Sequence, residues 1–208
     1  MEEERSQAFT PIVTFILLGI IVLIFFIEII VGDENDVDTI LKLGGAYTPY
    51  ILEKHEYYRL FTAMFLHFGI NHLVSNCIAL IAMGQYVEAY FGRVRYTIIY
   101  VLSGLAGSLL SVASDILSGT YPVAAGASGA ICGLLGAMII LAIDKRTRRA
   151  FPLPRIIFAL VMVLLPGFGK SNIAVYAHLG GLIGGFIIAL IMYLISFRGA
   201  DIYMEDNL

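Results

Sequence analysis

The sequence predicts an all-α membrane protein, a bundle of six transmembrane helices with both termini in the cytoplasm. Three observations carry this. Of the 208 residues 59% are apolar and 14% charged, against about 45–50% and ~25% in soluble domains. Mean hydropathy is +0.87, and long apolar runs recur along the chain, as lipid requires. Many of the 21 glycines lie inside those runs, where small residues let helices approach closely.

The first predicted span is 11–31. Its leader MEEERSQ is acidic and no small-residue cleavage site follows, so a retained helix is expected rather than a signal peptide. A loop, 32–59, is acidic at its start and aromatic at its end. Span two, 60–86, carries His67, Asn71, His72 and Asn76. Span three is 96–113, span four 123–143, and the basic stretch DKRTRR follows it. Span five, 151–168, opens with Pro152, Pro154 and Arg155, and its uninterrupted apolar run is far short of a ~30 Å core at ~1.5 Å per residue. Span six is 173–197. All of residues 1–208 are read as one membrane domain.

Orientation follows from cation placement. Arg5, Arg93, Arg95, Lys145, Arg146, Arg148, Arg149, Arg155 and Arg198, nine in all, fall on the side of the termini, against four on the other, Lys42, Lys54, Arg59 and Lys170. With no basic tail or stripe, nucleic acid is excluded as a partner. Cys77 and Cys132 both sit in apolar runs and are expected to be small buried residues. Asp115 and Asp144, at span ends, are expected to be solvated, Glu88 to cap or bond at the inner end of span two, and Glu28 to snorkel to the interface.

Ionisable groups in hydrocarbon are costly and mark functional sites. Spans two, four and six all enter from the outer face. Ser128 and His178 each lie about five residues inside their spans, several Å below the outer edge at ~1.5 Å per residue. His178, Gly181 and Gly185 share one helix face, and Gly129, Gly133 and Gly136 form a second stripe beside Ser128. Two such stripes allow the close approach that a Ser–His hydrogen bond of ~2.6–3.2 Å needs. A neutral His178 can then activate Ser128. Asn76, the Ser128 amide and His72 are candidate donors to an oxyanion. His67 and His72 are five apart, ~140° around a helix, unlike the i, i+4 pair of zinc proteases. No metal is expected, and no cofactor.

Gly126-Ala127-Ser128-Gly129, the run Ala177-His178-Leu179-Gly180-Gly181 to Gly185, the spacing of His67, His72 and Asn76, and Arg59 ahead of them together resemble the rhomboid family of intramembrane proteases. The resemblance covers roughly 59–185. It implies a Ser128–His178 dyad without an acidic third member and an oxyanion hole of Asn76, the Ser128 amide and His72. Supporting roles would fall to His67, Gly126, Gly129, Gly181, Gly185 and Arg59. It implies a single-pass membrane protein as substrate, cut near the outer face, span five or the loop before span six helping to admit it, and the 32–59 loop packed on the bundle's side. Two positions depart from the family pattern. Tyr58 stands where a Trp often precedes the arginine, and Cys132 stands where an aromatic residue often backs the histidine.

Two other classes of function remain: a rhomboid-like binder of membrane helices that does not cut them, and a small transporter or proton channel using the histidines as relays. The first generally lacks the Ser or the His. The second leaves the Gly126–Gly129 motif unexplained. The expected location is the cytoplasmic membrane of a prokaryote, with lipid and a substrate helix as partners.

Overall fold

A helix apolar on every side must be surrounded by protein or by hydrocarbon, and both cases occur here. The computed structural model describes residues 9–164 and 172–205. Helix α1, Ile12–Val31, begins with backbone amides that the helix itself cannot satisfy. Glu88 supplies the acceptors: Val13 N and Thr14 N donate to its carboxylate at 3.0 and 2.8 Å, and Thr14 Oγ1 donates at 2.8 Å. Glu88 is fully buried, and its charge sits at the positive end of α1. The capping expected of it is found, on a different helix.

The outer loop folds into two short helices, α2 (Val37–Lys42) and α3 (Thr48–Glu53). Arg59 is buried and donates to the carbonyls of Leu41 and Gly45 at 2.7 and 3.0 Å and to Glu56 at 2.5 Å. That contact holds the Glu56 carboxyl below its usual range. An antiparallel bridge joins Ala46 to Ala124, and Thr48 Oγ1 donates to Asp115 at 2.5 Å. Asp115 is therefore buried, not solvated. A carboxylate there ties the loop to the bundle.

The stretch expected to open span two is instead a short helix α4 (Arg59–Thr62) and a 3-10 turn (Ala63–Phe65), set at 89° to α5 (Gly69–Phe91). Leu66 turns extended, and Gly69 takes φ +78°, a conformation that glycine adopts without penalty. Two hydrogen bonds hold the bend: His67 N to Glu28 Oε1 at 3.0 Å and Gly69 N to the Glu34 carbonyl at 3.2 Å. Glu28 does not snorkel. It is 0% exposed because the broken backbone at 67 offers it a donor inside the protein.

Helix α6 (Arg93–Ser118) ends at Gly119, left-handed at φ +68°, its amide closing on the Asp115 carbonyl, a common helix stop. Helix α7 (Ser128–Ile143) starts five residues later than the expected span, because Ala124 is spent on the bridge and Gly126 donates to Ala63 O. Most of α7 is buried, on all sides. Close approach to α9 (Asn172–Glu205) depends on glycine: a Cβ on Gly181 would land on the Gly129 carbonyl, and one on Gly185 on that of Gly133. Helix α8 spans Leu153–Leu164; the rest of span five, 165–168, lies outside the described residues. Asp144, expected to be solvated, is buried. The Arg146 guanidinium holds its carboxyl well below the usual range, and the Tyr90 hydroxyl also bonds it. Cys132 is buried, whereas Cys77 is partly exposed.

On α9, Ile183, Ile187, Ile191 and Ile195 recur every four residues and all are exposed, the face of a helix that meets hydrocarbon. Among the described residues three helices are long and apolar enough to cross a membrane, four if the bent pair counts as one span. Helix α7, at 16 residues, is shorter.

Candidate active site

Ser128 is the first residue of α7. It sits there because Gly126, at φ +141°, turns the chain sharply, with its amide anchored on Ala63 O at 2.9 Å. The amides at that end of α7 have no acceptor within the helix and carry its positive dipole.

His178 stands one turn into the described side chains of α9. The two helices meet beside both residues: a Cβ on Gly129 would lie 3.5 Å from the Ala177 carbonyl oxygen and 3.9 Å from Gly107 Cα on α6. Gly129, the neighbour of the serine, also meets α9 at Gly181, one turn below the histidine. Among the described residues no hydrogen bond joins Ser128 to His178, and His178 Nδ1 is buried without a partner. Such bonds commonly tighten only when substrate binds.

His72 comes from the first turns of α5. A Cβ on Gly126 would lie 2.7 Å from His72 Cε1, 3.0 Å from Nε2 and 3.6 Å from Ser128 Oγ. Gly126 therefore cannot carry a side chain without displacing the imidazole. Ser128, His178, His72, Gly126 and Gly129 line one cavity of about 440 Å³. Met64 and Phe68, from either side of the bend, line it too.

Asn76 is not among the lining residues. It is buried, and its amide donates to the His72 carbonyl one turn back, at 2.9 Å. His67 is 0% exposed, neither ring nitrogen has a partner among the described residues, and its ring lies edge-on to His72 at 5.2 Å. Gly181 and Gly185 act one and two turns below His178, where they let α9 touch α7. Arg59 is not among the lining residues and organises the outer loop. Cys132 is buried one turn after Ser128. Sequence reasoning missed the supports of the bend, Glu28 above all. A carboxylate within an apolar run was the available signal, but nothing in the sequence names its partner.

The family model described as Rhomboid domain matches residues 54–195. The Bacillus subtilis rhomboid protease GluP is 37% identical over 195 residues, 90% of this chain and 37% of GluP. RHOMBOID-like protein 1 of Arabidopsis thaliana is 36% identical over 156 residues, 74% of this chain and 39% of that protein. This chain thus spans under two fifths of the length of either. A second Bacillus subtilis rhomboid, YdcA, is 30% identical over 195 residues, 90% of this chain and 93% of its own. With a family match across most of its length and apolar helices to carry it through lipid, this multi-pass membrane protein belongs to the rhomboid family.

Proposed function

We propose that the chain is an intramembrane serine endopeptidase that cuts transmembrane segments of single-pass membrane proteins near the outer face. One observation carries this reading: Ser128 and His178 line a single cavity, on helices whose backbones meet at Gly129 and Gly181. Ser128 Oγ attacks the scissile carbonyl carbon while the His178 imidazole takes its proton. The oxyanion forms at the N-terminus of α7, where the Ser128 amide faces it, with the His72 imidazole as second donor. Asn76 joins them only if its amide leaves the His72 carbonyl. Collapse breaks the C–N bond, and the imidazolium returns its proton to the departing amine. Water then attacks the acyl-enzyme, with His178 again as base, and frees Ser128. His67 backs His72, while Gly126, Gly129, Gly181, Gly185 and Arg59 serve the shape of the site. No metal or cofactor takes part.

In this reading α1, the bent α4–α5 pair, α6, α7, α8 and α9 are the six spans of one domain, with both termini cytoplasmic, in the cytoplasmic membrane of a prokaryote. The test is labelling of the detergent-purified protein by a fluorophosphonate. Wild type should label, and Ser128→Ala and His178→Ala should not, although both elute as folded protein. Well-folded wild type that stays unlabelled and cleaves no membrane substrate would move the reading to a helix binder. Labelling retained in Ser128→Ala would remove the dyad.

A further inference from the structure

The reactive residues occupy one end of their cavity, and the rest of it has a chemistry of its own. Gly104, Ser108, Ser111 and Asp115 all line it. Their spacing, i, i+4, i+7, i+11, places them on one face of α6. Small and aliphatic groups, Ala46, Ala63 and Val123 among them, also line the cavity. Among the described residues, Asp115 is the only carboxylate that lines it, and no lysine or arginine does. The one side chain among the described residues that bonds its carboxylate is a neutral hydroxyl, that of Thr48. Among the described residues, Asp115 alone also lines the adjoining cavity of about 330 Å³ between α6 and Tyr176 of α9.

A carboxylate with a hydroxyl but no cation, held where water is scarce, favours a positively charged ligand group far more than it would in bulk water. The helix gives its distance from the chemistry. Gly107 packs at the level of Gly129, and Asp115 lies two turns further along α6, about 12 Å at ~1.5 Å per residue. An extended chain covers that in roughly three to four residues. From this placement we infer that Asp115 is a specificity-determining subsite. It selects substrates carrying a lysine or arginine about three to four residues from the scissile bond. The inference rests on the protease reading and adds to it the chemistry of the substrate. Near a membrane surface, a basic residue flanking a transmembrane segment is a common feature for such a subsite to read.

The test uses purified full-length protein in proteoliposomes and a fluorescent single-span reporter whose cut site is first mapped by mass spectrometry. Lys, Leu or Glu is then placed three or four residues to either side of that site. A charge-assisted hydrogen bond corresponds to about tenfold or more, so wild type should cleave the Lys reporter at least about tenfold faster, in kcat/KM, than the Glu reporter on one side. Asp115→Asn should bring the ratio towards one. Thr48→Val removes the hydroxyl and leaves the carboxylate, so it should keep the preference even if every rate falls. Equal wild-type rates for all three reporters would overturn the subsite. So would Asp115→Asn and Thr48→Val lowering all rates in the same proportion, since Asp115 would then only fasten the loop. Wild type that cuts no reporter and takes no fluorophosphonate would overturn the protease reading, and the subsite with it.

Discussion

At the scale of single residues, the side chains that matter most act through backbone groups. Glu28 accepts the His67 amide where the chain breaks between the 3-10 turn and α5, and from that bend Phe68 and His72 enter the cavity. Its second oxygen is buried without a partner among the described residues, so one acceptor oxygen is the essential feature. Glu28→Gln, which keeps that oxygen, should label with a fluorophosphonate as wild type does. Glu28→Leu leaves the amide unsatisfied at a cost of about 1–3 kcal/mol; it should melt earlier in detergent and label more slowly. Equal labelling of both variants would limit Glu28 to a role in stability. That Ser128 and His178 would meet at one cavity was legible in the sequence because their motifs are local: a serine between glycines and a histidine above a glycine stripe. Glu28 and Asp115 were not, because their partners lie 39 and 67 residues away. No periodicity encodes such a pairing.

At the scale of elements, α7 and α9 are held by what is missing from their surfaces. At Gly181 and Gly185 the obstacle to a side chain is backbone carbonyl, which cannot rotate aside. Overpacking costs ~1–3 kcal/mol where neighbours can adjust, and here the helices must part. Gly185→Val should therefore lower the melting temperature and abolish labelling together, whereas the same change at Gly19 on α1, where a Cβ meets nothing within 4 Å, should alter neither. The glycine stripes were readable in advance, and so was the pairing they permit. The bend of 89° before α5 was not, because 60–68 is as apolar as a continuous helix and only its contacts with Glu28 and Glu34 set the turn. The late start of α7 was hidden for a similar reason, since Ala124 looks like helix and serves as half of a bridge.

At the scale of the whole molecule, the serine's depth is set by protein rather than by lipid. Helix α7 is short, 16 residues or about 24 Å at ~1.5 Å per residue, and is enclosed by its neighbours. It makes little contact with acyl chains and so is largely exempt from the mismatch that tilts lipid-facing helices. Reconstitution in bilayers of increasing acyl length should leave fluorophosphonate labelling nearly constant while cleavage of a transmembrane reporter changes, because only the reporter must match the bilayer. Labelling that tracks thickness would place α7 under lipid control. The membrane class was plain from composition alone. The division into spans was less so, because α7, at 16 residues, is too short to announce itself by length.

Helices α1 and α5 exchange carboxylates. Glu28, near the end of α1, serves the amide just ahead of α5, while Glu88, near the end of α5, serves the first amides of α1. The two rods are thus pinned head to tail at both extremities. A slip of one turn would unfasten both pins at once, leaving two acids and three amides stranded in a dry interior. The pair behaves as a rigid strut, and whatever door admits a substrate must swing on some other hinge.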